Sequence, residues 1–251
     1  MKLTKLTISL LILLLFTAVV KGQVEEQQVK NYIGINAGGS VSSVFFNHLA
    51  FRPNVRTSLL PGAQVGLVYR HFSPLKTGIL NTGLQLSVYF SQKGYIQEFQ
   101  GLVPNVTSRL NYVEVPFSAM IYFGRKKTKF FVNPGIYIEY LLSSTVDSAP
   151  EDDDEDQDFI NVGPFNVFPY NQNTDNRVGI GGRIEGALSR DFPFGTIQLA
   201  GNFSYTITNL LDFGLRSSGI PDTSNNFSVG VTIGYFFGIG GKKPVVVSEE
   251  E

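Results

Sequence analysis

The chain has 251 residues, with 20 basic and 21 acidic side chains, a net charge of −1 and no cysteine. Near-neutral charge offers no positive field to nucleic acid, and the missing cysteines exclude a disulfide framework and a lipid-modified N-terminal cysteine. Charged residues make up 16% of the chain, whereas glycine (26), phenylalanine (21) and tyrosine (11) are abundant. Soluble domains carry about 25% charged residues, so this composition fits a surface that faces lipid better than one that faces water.

Lys2 and Lys5 precede an apolar stretch from Leu6 to Val20, and Gly22 stands just before Gln23. That is the pattern of a secretory signal peptide over 1–22. Its apolar core is shorter than the roughly 20 residues of a spanning helix. Removing its three lysines takes the net charge from −1 to −4. A short N-terminal segment, 23–30, would lead into one β-barrel over 31–238, followed by a tail over 239–251.

Eight strands are predicted, at about 31–44, 61–72, 79–96, 109–123, 129–142, 177–189, 196–209 and 225–237. Several exceed the five or six residues typical of soluble sheets and reach the length of a tilted membrane strand. The third sets Leu84, Leu86, Val88 and Phe90 against Gln85, Ser87 and Tyr89. The fourth sets Val113, Val115, Phe117, Ala119, Ile121 and Phe123 against Tyr112, Glu114, Ser118 and Met120. The seventh and eighth alternate in the same way, so one stripe is apolar and the other holds glycine, serine, asparagine and tyrosine. Such a polar stripe, poor in solvating lysine and glutamate, suits an enclosed interior.

The connections alternate strictly. Segments 45–60, 97–108, 143–176 and 210–224 are long and polar; those after the second, fourth and sixth strands are short turns. Up-and-down closure would gather the long loops at one end, and the tight turns with both termini at the other. The expected fold is therefore an all-β, eight-stranded antiparallel up-and-down transmembrane barrel, with termini in the periplasm of a Gram-negative cell envelope. Pro116 and Pro134 fall inside strands four and five, where each deletes a ladder donor, so bulges or local breaks are expected there.

The inward stripe carries Arg70, Lys93, Glu114, Glu139, Arg183 and Glu185. Three bases and three acids in a low-dielectric interior should pair across strands. An eight-stranded barrel is only wide enough for its own side chains, so the charges are expected to plug the lumen rather than to line a pore or relay protons. The acidic run 151–158 offers Asp152, Asp153, Asp154 and Asp156 as oxygen ligands for calcium or magnesium. It lacks EF-hand spacing, and like charges in a loop are ordinarily solvated. The milder expectation is divalent ions bridging this loop to anionic surface groups.

Other features carry less. Gly238 to Lys243 lacks the spacing of a phosphate loop and reads as a basic turn. His48 and His71 stand apart, in a loop and at a strand end, and suggest no metal or catalytic set. Asn105-Val106-Thr107 matches a glycosylation sequon without a use in a bacterial outer membrane. No enzymatic activity and no cofactor are expected.

A strand ending in Gln92-Lys93-Gly94, followed by Tyr112-x-Glu114-x-Pro116, resembles the PorT-like outer-membrane β-barrel family of Bacteroidota. The resemblance covers essentially the whole chain after the leader. It implies an outer-membrane barrel whose namesake takes part in type IX protein secretion, and it brings no catalytic residues. Gln92, Lys93, Gly94, Tyr112, Glu114 and Pro116 would be structural, with Lys93 and Glu114 as an ion pair in the lumen. The partners expected are outer-membrane lipid and, for an accessory role, secretion or envelope-assembly proteins. A barrel that binds or takes up a small ligand is the further alternative.

Overall fold

Period-two alternation places successive side chains on opposite faces of a strand, and here it is sustained over strands of 12 to 20 residues. In the computed structural model the described residues are 30–47, 56–73, 80–98, 105–124, 127–147, 160–162, 165–167, 169–212 and 223–239. The expected leader 1–22, segment 23–29, His48, the acidic run with Asp152, Asp153, Asp154 and Asp156, and the tail beyond Ile239 lie outside them.

Eight long strands follow the chain: β1 (Lys30–Asn47), β2 (Leu60–Phe72), β3 (Asn81–Gln97), β4 (Val106–Phe123), β5 (Thr128–Asp147), β6 (Val178–Phe192), β7 (Gly195–Thr206) and β8 (Thr223–Ile239). Each pairs antiparallel with its sequence neighbours. β8 pairs with β1 from Asn31↔Ile239 to Asn47↔Thr223, which closes the sheet and removes its edges. A two-residue piece, Thr57–Ser58, adds to the loop end of β3, and a small separate ladder joins Ile160–Val162 to Phe165–Val167. No described helix is long and apolar enough to cross a membrane.

The strands are staggered as well as closed. Partners followed from Ile33 pass through Tyr69, Leu86, Phe117, Ile136, Gly182, Tyr205 and Phe227 and return to β1 at Ser43. A stagger of about ten residues per circuit tilts the strands against the barrel axis. β1 starts and β8 ends beside the short turns, at the turn end; the longer connections sit at the loop end.

The prolines act locally. The β3–β4 ladder skips the partners around Pro116, between Leu86↔Phe117 and Tyr89↔Glu114, without changing register. Around Pro134 the β4–β5 ladder skips likewise, between Ser118↔Gly135 and Ile121↔Val132. The register shift lies elsewhere: Asn111 faces Ser143 while Tyr112 faces Leu141, so Leu142 is the extra residue. Several strand limits also differ from expectation, by up to five residues. β5 continues to Asp147, β7 stops at Thr206, and β4 begins at Val106, so the sequon's Thr107 stands in a ladder opposite Asp147.

Burial is inverted relative to a water-soluble sheet. Ile136, Ile233 and Leu199 are 65%, 63% and 53% exposed, while Asn36, Gln85 and Glu114 are nearly inaccessible. The outward apolar band ends toward the loops at Gln92 on β3 and at Asn111 and Arg109 on β4. At the turn end, Phe123 packs on Phe130 and Phe192 on Phe194, as an interfacial aromatic girdle does.

Candidate functional site: a chain of charges inside the barrel

The six inward charges come from five strands. Arg70 stands on β2, Lys93 on β3, Glu114 on β4, Glu139 on β5, and Arg183 with Glu185 on β6. All six are buried. Glu114 and Glu139 are directly opposed in the β4–β5 ladder, a repulsive pairing by itself. Lys93 relieves it by reaching both carboxylates: its ammonium contacts Glu114 and lies 2.8 Å from Glu139 Oε2. On the other side of Glu114, Oε2 is 3.5 Å from Arg183 Nη1. Arg183 Nη2 is 4.0 Å from Glu185 Oε2, and Glu185 Oε1 is 3.8 Å from Arg70 Nη2. The order Glu139, Lys93, Glu114, Arg183, Glu185, Arg70 therefore alternates in sign from one end to the other.

Neutral groups add to the shell. Arg70 donates from Nε to Gln85 (2.8 Å) and from Nη1 to Gln198 (2.6 Å). Asn133 Nδ2 donates to Glu185 at 2.9 Å, and Thr206 Oγ1 donates to Glu139 at 2.8 Å. Aromatic faces take the remaining cationic surface: Phe236 lies 4.0 Å from the Arg70 guanidinium, Tyr137 5.0 Å from the Lys93 ammonium and Tyr89 5.0 Å from Arg183. Removing an ion from water costs several kcal/mol even after relaxation, so the pairing, hydrogen bonds and ring contacts act together to offset six such penalties.

Two glycines make room for this shell. Gly94 has φ +147°, and a Cβ there would meet the Ser108 carbonyl oxygen at 2.0 Å. Its N–H donates to Ser42 Oγ (2.8 Å), fixing the backbone next to Lys93. At Gly179 a Cβ would meet the Glu139 carboxylate oxygen at 2.5 Å, so a side chain there would displace the first member of the chain.

Apolar layers cover both ends of the charges. Toward the turns, Phe72, Tyr122 and Phe131 pack with ring centroids 5.1 to 6.1 Å apart. Toward the loops, Val44, Tyr95, Leu110, Tyr112 and Leu141 meet Tyr170, Leu210 and Leu211 from the connections. Those connections are tied down: Asp175 accepts from the N–H groups of Asn171 (2.7 Å) and Asp212 (3.1 Å), and Ser224 Oγ accepts from Leu211 N–H (2.9 Å). A cavity of about 10 Å³ lies at each end, one touching Glu139 and Asn226, the other touching Arg70 and Phe236. Each has room for about one water.

Alternation along the strands points to the six charged residues and puts Gln85, Gln198 and Thr206 on the same inward stripe, but it does not mark which neutral residues partner the charges. Gln85, Asn133, Gln198 and Thr206 carry no charge to mark them. The apolar pair Leu210-Leu211 at the start of a polar loop is the signal for the cap at the mouth. His71 Nδ1 lies 2.9 Å from Asn31 Oδ1. Among the described residues no three His, Cys, Asp or Glu side chains are placed to hold a metal ion.

Residues 23–240 match the model of the outer membrane protein beta-barrel domain. The chain belongs to this family. It is accordingly an outer-membrane β-barrel protein, and the exposed apolar band is its lipid-facing surface. No curated protein matches the sequence. Among solved structures, Neisserial surface protein A is similar at 12% identity and a TM-score of 0.41, over 84% of this chain and 98% of that one. Ail, the attachment invasion locus protein of Yersinia pestis, is similar at 10% identity and 0.38, over 83% and 99%. The outer membrane enzyme PagL is similar at 10% identity and 0.37, over 80% and 98%. Likenesses this distant say nothing about activity.

Proposed function

We propose that this barrel is closed and non-enzymatic, and that it serves the cell envelope as a scaffold or interaction protein through its two ends. The observation that carries the reading is the unbroken chain of alternating charges between two apolar layers, with water-sized gaps at its ends. A solute would have to separate several buried ion pairs to pass, each costing about 3–5 kcal/mol to break. Proteoliposomes test this: flux of a small sugar should equal that of empty liposomes, and flux that scales with protein content would overturn it.

The PorT-like, Bacteroidota reading rests on the Gln92-Lys93-Gly94 and Tyr112-x-Glu114-x-Pro116 motifs. What supports a structural role for them is that Lys93 and Glu114 belong to the chain of charges, with Gly94 fixing the strand beside it. In this reading the turn end, where β1 starts and β8 finishes, faces the periplasm after cleavage of the leader 1–22. Calorimetry with millimolar calcium would reveal any divalent site supplied by the acidic run 151–158.

A second reading is an accessory component of a type IX secretion or envelope-assembly machine. It is favoured by β4 and β5, whose polar tips, Arg109 and Asp147 among them, continue the ladder past the lipid-facing band. The native mass of the gently extracted protein separates the two. A large defined complex supports the machine component; a single barrel supports the stand-alone scaffold.

A further inference from the structure

Arg190 lies on the outward face of β6, one step from the turn to β7, between the lipid-facing Leu188 and Phe192. Its ladder partners are Thr128 and Ile197, which offer no negative charge. The neighbouring acid, Asp191, is already engaged on the inner rim, where it accepts from Lys129 Nζ (2.5 Å) and Thr196 Oγ1 (2.7 Å). Among the described residues no carboxylate reaches Arg190; its guanidinium has only the Phe192 ring, 5.7 Å away. The outward arginine at the opposite end of the barrel differs: Arg109 has Asp147 at 3.6 Å.

An outward cation at the edge of a lipid-facing band, next to an aromatic girdle, stands at the depth of lipid headgroups. A guanidinium matches the paired oxygens of a phosphate in geometry and charge. We infer that Arg190 forms a headgroup site for an anionic glycerophospholipid of the turn-side leaflet, with Phe130 and Phe192 as the shelf for its acyl chains. A zwitterionic lipid carries its own ammonium beside the phosphate and competes with this cation, so selectivity for net negative lipid follows. The site depends on the chain's membership of an outer-membrane barrel family and is independent of whether the lumen is closed.

Native mass spectrometry of the whole barrel, released from equimolar phosphatidylglycerol and phosphatidylcholine, tests the site. The wild type should retain phosphatidylglycerol preferentially. Arg190→Gln should lower that preference about five-fold, the effect of one basic residue at a membrane surface. Arg190→Lys, which keeps the charge, should retain most of it and guards against loss of fold. Arg109→Gln should leave it unchanged. Equal retention of the two lipids by the wild type, or an unchanged preference in Arg190→Gln, would overturn the assignment.

Discussion

Along β4, alternate side chains meet two different surroundings: Val115, Phe117 and Ile121 are 41%, 49% and 39% exposed, while Glu114 and Ser118 beside them are almost inaccessible. The same backbone presents an apolar wall to the outside and a polar wall to the inside. On the outer wall, neighbouring residues contribute mainly by being tolerable to lipid, so a substitution there acts one residue at a time. On the inner wall each charge is held by charges from other strands, so one substitution leaves its partners stranded. The difference is one of coupling: the outer face is additive and the inner face is cooperative.

Substitutions on the two walls sharpen that contrast. The largest effect is expected inside. Glu114→Ala leaves Lys93 with only Glu139 and Arg183 with only Glu185, and should cost about 3–5 kcal/mol in urea unfolding from vesicles. Val231→Arg, at the middle of the outer apolar band on β8, should cost about 2–4 kcal/mol in the same assay. Leu211→Ala empties part of the cap over the mouth; because a connecting segment can collapse into the space, the loss should sit near the lower end, about 2 kcal/mol. Arg109→Ala, which breaks a half-exposed pair with Asp147 beyond the band, should cost less than about 1 kcal/mol. An outer-wall substitution that cost more than the loss of Glu114 would break the comparison.

The sequence makes the two walls legible because period-two alternation needs no knowledge of neighbours: Leu84, Leu86 and Val88 separate from Gln85, Ser87 and Tyr89 on inspection. Loop asymmetry makes the up-and-down order legible for the same local reason. Which charge meets which is a matter of register and stagger, and both are set by pairings between strands far apart in the chain. Thus Arg70 and Glu185 are brought together from β2 and β6 across the interior, and neither segment's own pattern announces the other. The bulge at Leu142 is hidden likewise, since the prolines advertise irregularity at 116 and 134 while the register shift occurs at the tip of β5. Leu210 and Leu211 fall in a segment that is polar as a whole; their burial depends on a mouth built by β1, β3, β4 and β5.

The most direct test of cooperative pairing inside the barrel is a double-mutant cycle of Lys93→Ala and Glu114→Ala, measured by equilibrium unfolding in vesicles. The expected result is that the double variant loses less than the sum of the single losses, with a coupling of about 0.5–3 kcal/mol. Additive losses would contradict it, because they would mean that the two charges stand in the lumen without depending on each other.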